Sequence, residues 1–223
     1  MKLKSAIPYY ISSVVTLLKE IRNRHMIPFL LFKKPVRIML HNGMRFDLFS
    51  FADLWTLKEV AIDKCYEQYR GIGKNWIIVD MGAGFGDFSI MNSFKSKKIV
   101  SCEINPQTVQ RLRNNIAINR APNIEIAPVG AHKLQELFQT YKINSCDLLK
   151  IDCEGCEYPL LFTASSDVLK KVRTIVMEYH TFDESMRKQF TKMIALLKKE
   201  HFTVTYQENP VHTTFGILFA TRK

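Results

Sequence analysis

From about residue 75 onward, short apolar runs alternate with longer stretches in which apolar residues recur every three or four positions. The short runs predict buried strands, and the longer stretches predict helices. Strands that alternate with helices imply a parallel sheet with helices on both faces. The predicted strands are 76–80, 98–103, 124–128, 146–151, 173–178, 202–207 and 215–221, and the predicted helices are 87–94, 106–119, 133–141, 157–171 and 184–200.

The last two predicted strands are joined only by residues 208–214. A parallel crossover needs a dozen or more residues, so these strands should be antiparallel. The predicted fold class is therefore α/β and Rossmann-like. Its mostly parallel seven-stranded sheet ends in a C-terminal antiparallel hairpin.

The first 70 residues follow a different pattern. Asn42-Gly43 lies between two alternating runs, 36–40 and 44–48, which predicts a β-hairpin. A helix is predicted over 50–69, with one apolar face. We expect residues 1–70 to form an appendage of amphipathic helix, hairpin and helix, and residues 71–223 to form the cofactor-binding domain. The predicted face of the 50–69 helix contains Leu54, Leu57, Val60 or Ala61, and Lys64 or Cys65.

An amphipathic helix is also predicted at the N-terminus. Ile7, Ile11, Val14, Leu18 and Ile21 recur at the helical period. The segment is too short to cross a bilayer. We expect this face to pack on the domain, and peripheral membrane contact by residues 1–34 is the alternative.

Composition adds charge to this picture. The chain has 223 residues, with 32 lysines and arginines against 21 acids and a formal charge of +11. A basic surface favours an anionic partner or simply keeps the protein in solution. No aromatic residues interleave with the scattered basic ones, so a nucleic-acid partner is open but not favoured.

The five cysteines, at 65, 102, 146, 153 and 156, do not form a disulfide framework pattern. We therefore expect reduced thiols and a cytoplasmic protein. Cys153-x-x-Cys156 has no second ligand pair nearby in the sequence. Two reduced thiols near a loop are therefore expected rather than a zinc or redox site.

The most informative segment is a glycine-rich loop after the first strand of the sheet. Asp80 is followed by Gly82, Gly84 and Gly86, and Glu103 ends the next strand. A carboxylate about 20 residues beyond the first glycine is typical of a ribose contact in such folds. The register G-x-G-x-G is not that of a dinucleotide site, and Asp80 would repel a phosphate. The sequence thus predicts a nucleoside cofactor and an enzyme.

Ionisable residues mark two further strand ends. Lys150, Asp152 and Glu154 fall on one side of the fourth strand, and Glu178 and His180 end the fifth. Charge is costly in a central parallel strand unless it is paired. Because ligands bind at the carboxyl ends of such strands, we expect these groups to reach one crevice. The alternative is structural, with Lys150 neutralising Asp152 and Glu154 capping a helix.

These motifs together resemble a broad class of enzymes and, within it, one family. D-x-G-x-G-x-G with a later glutamate resembles class I S-adenosylmethionine methyltransferases. Over about residues 75–182 the chain resembles FkbM-type methyltransferases. The landmarks are Val79-Asp80-x-Gly82-Ala83, Cys102-Glu103-x-Asn105-Pro106, Asn114-Asn115-x-x-x-Asn119, Lys150-Ile151-Asp152-Cys153-Glu154-Gly155-Cys156-Glu157 and Glu178-Tyr179-His180.

The resemblance implies a Rossmann-like methyltransferase fold, S-adenosylmethionine as cofactor, and O-methylation of a hydroxyl on a sugar or other small metabolite. It also implies the cofactor contacts. Asp80 would support the amino group, Glu103 would accept from the ribose hydroxyls, and Asn105 would lie near the adenosine. The backbone around the cofactor would come from Gly82, Ala83, Gly84 and Gly86, with Asp152 beside it.

The acceptor side leaves alternatives open. His180 or Asp152 is the candidate base, with Lys150, Glu154 and Glu178 in the same catalytic group. Alternatively, Asp152, Glu154 and Glu178 would hold Mg²⁺. After Val129-Gly130-Ala131 the chain is shorter than is usual in the family, with His132 leading into the next helix, so the pocket is predicted to be more open or closed by residues 1–35.

Two other functions remain under consideration. The basic charge allows an RNA methyltransferase, although no Asn/Asp-Pro-Pro-aromatic motif and no Pro-Cys dipeptide is present. The other is a non-catalytic binding or scaffold protein that keeps the fold, since a fold alone does not establish function.

Overall fold

The computed structural model describes residues 3–32, 34–129, 133–209 and 214–222, with side chains from residue 8 onward in those ranges. The helices are α1 Leu3–Glu20, α2 Phe51–Leu57, α3 Asp87–Ser93, α4 Pro106–Asn119, α5 Leu134–Thr140, α6 Glu157–Phe162, α7 Ser166–Lys170 and α8 Glu184–Lys199. The strands are β1 Val36–Met39, β2 Arg45–Leu48, β3 Ile77–Met81, β4 Lys98–Cys102, β5 Ile124–Ala127, β6 Leu148–Ile151, β7 Thr174–His180, β8 Thr203–Glu208 and β9 Phe215–Thr221.

Seven of the strands form one sheet in the order β5-β4-β3-β6-β7-β9-β8. The first five are parallel to one another, and β9 runs antiparallel to both β7 and β8. The predicted fold class is therefore confirmed. The chain order reverses between β3 and β6, and the carboxyl ends of those two strands meet at one edge, where open α/β sheets bind ligands.

The central strands are apolar on both faces because helices cover both sides of the sheet. Val79, Leu149 and Ile151 lie in one hydrophobic cluster with α5, α6 and α8, and Ile78 and Val176 lie in the other. All five side chains are fully buried. Burial of this kind is what holds a parallel sheet between its helix layers.

The N-terminal residues complete the second cluster. Leu17, Ile21 and Phe46 pack in it with residues of the parallel sheet. The predicted hairpin is present as β1 and β2, in which Val36 pairs with Leu48. The division at residue 70 remains a prediction, because the two predicted units share this core.

Two asparagines of α4 bind the free edge of the hairpin. The side chain of Asn115 accepts from Asp47 N at 2.8 Å and donates to Phe85 O at 3.0 Å. Asn119 accepts from Arg45 N at 2.9 Å and also donates to Arg45 O. Asn115 is fully buried, so its bonds replace those that water would make to the strand edge. They join the hairpin to the loop that follows β3.

Two predicted helices are interrupted in the structure. The predicted 50–69 helix is α-helical only through Leu57 and continues as a π-helical turn over Lys58–Ile62 and a 3₁₀ turn over Cys65–Glu67. Lys58 is buried there, with its ammonium 2.6 Å from Asp63, and Lys64 adopts a left-handed conformation with φ of 54°. The wider π-helical turn brings Asp63 to the buried ammonium of Lys58. The regular helix predicted from the sequence did not indicate this pairing.

The second interruption divides the predicted 157–171 helix into α6 and α7. The Ser165 side chain accepts from Val168 N and begins α7 as an N-cap. Ser165 itself is extended, with ψ of 151°. A serine that bonds the backbone in this way starts a new helix instead of continuing the old one.

Helix α1 is present, but of the described residues of the predicted packing face only Ile21, just after the helix, is buried. The buried stripe contains Ser13, Leu17 and Ile21. By contrast, Ile11, Val14 and Leu18 of the predicted packing face are exposed. The side chain of Ile7 lies outside the described residues. The helix therefore docks through Ser13 and Leu17, and the apolar residues that the periodicity identified within the helix face solvent.

Candidate functional site

The loop after β3 is held close to the loop after β6. Gly82 has φ of 76°, and a β-carbon added there would lie 1.7 Å from the backbone oxygen of Asp152. Only glycine fits this contact and this backbone conformation. The amides of Gly82 and Ala83 both donate to Cys102 O, at 3.0 and 2.9 Å. The glycine loop is therefore fixed between the ends of β4 and β6.

Gly84 and Glu103 form an open cradle beside that loop. A β-carbon at Gly84 would meet nothing within 4 Å. Gly84 N donates to Glu103 Oε2 at 3.1 Å, and Asn105 N donates to Oε1 at 2.8 Å. Both carboxylate oxygens are thus oriented by backbone amides and still have free lone pairs. The Asn105 side chain caps α4 by accepting from the amides of Gln107 and Thr108.

Asp80 and Lys150 form an ion pair beneath the cradle. Their side chains are 0% and 3% exposed, and Lys150 Nζ lies 3.0 Å from Asp80 Oδ1. Ser89 Oγ donates to Asp80 Oδ2, and Lys150 Nζ donates to Gly82 O. Burial lowers the pKa of Lys150, but the carboxylates of Asp80, Asp152 and Asp87 outweigh it, so the pKa is raised. Lys150 is therefore a permanent cation and not a base.

Asp80 is placed differently from what the predicted contact with the cofactor's amino group requires. It does not line the cavity above the cradle, whereas Asp87 at the start of α3 does. Asp87 Oδ1 accepts from Phe88 N at 2.8 Å. Burial raises the pKa of Asp87 to about 7, against a lowering by Lys150 and by the Phe88 amide. Its negative charge is costly unless a cation approaches from the cavity.

Asp152 is held by a residue from the N-terminal segment. Tyr66 Oη donates to Asp152 Oδ2 at 2.7 Å, and Lys150 Nζ lies 3.9 Å from the same oxygen. Burial and the neighbouring Asp152 raise the pKa of Tyr66, so its hydroxyl keeps its proton and donates. The Tyr66 ring packs edge-on against Phe88. The Asp152 side chain is still 26% exposed and can reach a ligand.

The loop that carries Asp152 continues through a disulfide. Cys153 and Cys156 are bonded to each other with their Cα atoms 5.4 Å apart, within the range that a disulfide spans. The structure thus brings these two thiols to where a disulfide can form, while Cys65, Cys102 and Cys146 are free. The loop turns back on itself because Glu154 and Gly155 have φ of 48° and 111°. This turn leaves the Glu154 side chain exposed.

His180 lies between two carboxylates. Its Nδ1 is 3.1 Å from Glu157 Oε1, and its Nε2 is 3.4 Å from Glu178 Oε1. The hydrogen bond to Glu157, then that to Glu178, raises the pKa of His180 to about 10 against the effect of burial. The imidazole is therefore protonated at neutral pH. Carboxylates engage both ring nitrogens in this structure, so the role of His180 as a general base stays a prediction that the geometry does not favour.

The pKa values of the two carboxylates beside His180 are shifted in opposite directions. Burial raises the pKa of Glu157, but the bonds from His180 and the Gly155 amide outweigh it, so the pKa is lowered. Burial raises the pKa of Glu178, and its contact with His180 only partly offsets this. Glu178 opens into a separate cavity of about 200 Å³, together with Glu59, Asp63 and Cys65.

The magnesium alternative does not fit this arrangement. In the described ranges of the chain, no group of three or more His, Cys, Asp or Glu side chains is placed to hold a metal ion. Glu178 lies in the neighbouring cavity, so it does not join Asp152 and Glu154. We therefore assign no step to a metal at these residues.

One cavity of about 450 Å³ joins the cradle to the acceptor side. The structure brings together Gly82, Gly84, Glu103, Lys150, Asp152 and Glu154 of the predicted site residues in its lining. The other predicted site residues are outside that lining, namely Asp80, Ala83, Gly86, Asn105, Glu178 and His180. Thr56 and Val60 form part of its wall. Val129 also lines it, whereas residues 130–132 of the predicted shortened segment lie outside the described residues.

Three participants were missed by the sequence reasoning. Asp87 directly follows the glycine motif, and its place at the start of α3 was a usable signal. Glu157 ends the quoted signature and is fully buried against His180. Tyr66 lies 86 positions before Asp152, and no local pattern indicates such a contact.

Comparison with known proteins agrees with this fold. Residues 121–204 match the family model described as Methyltransferase FkbM domain. Fibrillarin from Aeropyrum pernix, solved with natively bound S-adenosyl-L-methionine, superposes with a TM-score of 0.57 at 12% identity. The match covers 83% of this chain and 93% of that one. At this identity the likeness concerns the fold alone.

Two relatives match parts of the sequence. An uncharacterized RNA methyltransferase from Oceanobacillus iheyensis is 27% identical over 105 residues, 46% of this chain and 22% of its own length. A tRNA (guanine(37)-N(1))-methyltransferase from Pyrococcus abyssi is 29% identical over 83 residues, 37% of this chain and 24% of its own length. The chain thus matches less than a quarter of the length of either relative. Residues 121–204 thus match the methyltransferase FkbM domain model, and the chain has a fold like that of fibrillarin solved with S-adenosyl-L-methionine.

Proposed function

We propose that the chain transfers a methyl group from S-adenosylmethionine to a hydroxyl of a small molecule, such as a sugar. The observation that carries this proposal is the placement of Asp152. It stands in the same cavity as the Gly84–Glu103 cradle and receives a hydrogen bond from Tyr66. S-adenosylmethionine, when bound, supplies an electrophilic methyl group on a sulfonium.

The charge of the cavity supports a cationic cofactor. Four carboxylates line it, those of Asp87, Glu103, Asp152 and Glu154, against the single ammonium of Lys150. A dinucleotide pyrophosphate would be repelled there, whereas a sulfonium and an ammonium would be attracted. We assign the ribose hydroxyls to Glu103 and the ammonium to Asp87. Asp80 would act on the cofactor only through the backbone it supports.

The acceptor's proton is assigned to Asp152. Lys150 is a fixed cation and His180 a protonated imidazole, so neither accepts a proton at neutral pH. Asp152 keeps one oxygen free, because Tyr66 and Lys150 both approach Oδ2. As the methyl group leaves sulfur and bonds to the acceptor oxygen, Oδ1 of Asp152 would take the hydroxyl proton.

A cytoplasmic location remains a prediction. Among the described residues no helix combines the length and apolar character needed to cross a membrane. The free thiols of Cys65, Cys102 and Cys146 support a reducing compartment.

The first prediction concerns the cofactor. Glu103→Ala should weaken binding of S-adenosylhomocysteine at least about 10- to 150-fold, because losing even one charge-assisted bond to the ribose costs roughly 1.5–3 kcal/mol. Isothermal titration measures this. Glu125→Ala is the matched control, since Glu125 is half exposed on β5 and pairs with Lys98. Equal affinity of the wild type and the Glu103 variant would refute the ribose contact.

The second prediction concerns protonation. With a pKa of about 7, Asp87 is about half protonated at pH 7, and an incoming ammonium lowers that pKa. Binding of S-adenosylhomocysteine at pH 7 should therefore release about half a proton, and release should fall toward zero by pH 9. Isothermal titrations in phosphate and in Tris buffer measure the number of protons released, because the two buffers have different ionisation enthalpies. Asp87→Asn should abolish the release, and a variant that releases as many protons as the wild type would remove Asp87 from this role.

The third prediction concerns the base. With an acceptor selected from a panel of hydroxyl compounds, Asp152→Asn should lower kcat by about 10²-fold or more, the usual contribution of a general base. Tyr66→Phe removes only the orienting bond, so a loss of about tenfold is expected, with cofactor affinity unchanged. Tyr69→Phe is the control, since the Tyr69 ring is 46% exposed. Full turnover by the Asp152 variant would overturn the assignment, and cofactor binding without turnover on any acceptor would favour a non-catalytic protein.

An RNA acceptor is the second candidate, favoured by the charge of +11 and by the names of the two matched relatives. Against it, Asp152 and Glu154 place negative charge where an RNA phosphate would pass. If RNA is the acceptor, binding to total tRNA should weaken steeply between low and physiological salt, because phosphate contacts release counterions. Filter binding over a salt series measures this. Weak binding with a flat salt dependence would exclude this candidate.

A further inference from the structure

Helix α1 presents an apolar stripe to solvent. Ile11, Val14 and Leu18 are 62%, 52% and 44% exposed. They lie on the side of the helix away from the buried stripe of Ser13 and Leu17. Residues spaced by three and four positions form one continuous surface on a helix. This surface is therefore not explained by the docking of α1 on the domain.

The segment that follows α1 exposes further apolar side chains. The 3₁₀ turns of Arg24–Phe32 bury Leu30 at 2% exposure, which anchors the segment. Phe29, Leu31 and Phe32 remain 50%, 70% and 69% exposed. Large aromatic and aliphatic side chains concentrated in this way mark an interaction surface more often than single exposed residues do. We call the exposed side chains of these two elements the N-terminal apolar surface, comprising Ile11, Val14, Val15, Leu18, Phe29, Leu31 and Phe32.

The charges in this part of the chain are mostly positive. Residues 1–35 contain seven lysines and arginines and one acid, Glu20, so they contribute +6 of the chain's +11. Lys19, Arg22, Arg24 and Lys34 are exposed. Arg24 bonds to a backbone carbonyl, that of Leu18. Among the described residues none of these four cations forms a salt bridge, so their charge is available to a partner.

We infer that this surface docks on an anionic lipid membrane, with α1 lying in the plane of the headgroups. Aliphatic and aromatic side chains flanked by lysine and arginine match the apolar and anionic layers of such a surface. A nucleic acid would engage the cations but leave the aliphatic stripe in water. A second copy of this chain would bring two segments of +6 together and is opposed by their repulsion.

Vesicle flotation tests this inference with the full chain. The wild type should float with vesicles of phosphatidylcholine and phosphatidylglycerol, less with phosphatidylcholine alone, and less as salt is raised. The triple variant Ile11→Gln, Val14→Gln and Leu18→Gln should lower the partition coefficient about tenfold or more, because three apolar groups no longer enter the membrane. Phe94→Gln is the matched control, since Phe94 is 69% exposed after α3, away from this surface.

The variants should keep the thermal unfolding midpoint of the wild type, because the replaced side chains are exposed. Failure of the wild type to float with anionic vesicles would overturn the inference, as would equal flotation of the triple variant. Sedimentation of the wild type as a dimer that the triple variant abolishes would assign the surface to a second copy instead. These results do not depend on the proposed methyl transfer, because neither vesicle binding nor sedimentation requires cofactor or acceptor.

Discussion

The buried ion pair of Asp80 and Lys150 is the interaction on which the rest of the site depends. The two residues are direct neighbours across β3 and β6. A buried ammonium and carboxylate each cost several kcal/mol to desolvate, so the pair persists only with further bonds around it. Ser89 and the carbonyl of Gly82 supply them. The pair thereby fixes strand register, the first residue of the cofactor loop and the ammonium near Asp152 in one place.

A second cation held by carboxylates lies at the end of the next strand, β7. His180 is held between Glu157 and Glu178 and balances both. Histidine and lysine are therefore used here as fixed positive charges, which hold carboxylates at the sheet edge. The carboxylates that remain open to the cavity are Glu103, Asp152 and Glu154, with Asp87 beneath them. The site is consequently negative toward its ligand although the chain as a whole is basic.

The strands of the sheet could be predicted because the sequence patterns that indicate them involve residues close together in the chain. Apolar runs, the glycine loop and the short connection before β9 each lie within a few residues, and they gave the strand set and the antiparallel end correctly. The proximity of Gly84 to Glu103 was predictable for the same reason, since both residues follow the ends of strands that lie side by side. The contacts that sequence reasoning missed are long-range, such as Tyr66 with Asp152, or depend on which partner a charge finds, as for His180. Helix α1 shows a related limit, since periodicity located an apolar stripe but could not decide whether that stripe faces the domain or solvent.

The division of the cavity wall has a consequence for how such proteins diversify. The cofactor half belongs to the sheet, where Gly82 packs against the Asp152 backbone with no room for a side chain. The other half is walled by Thr56 and Val60 from the irregular helix before the sheet, and Tyr66 from the same region orients Asp152. Substitutions in that segment can therefore reshape one wall of the cavity while the close contact of Gly82 with the Asp152 backbone stays intact.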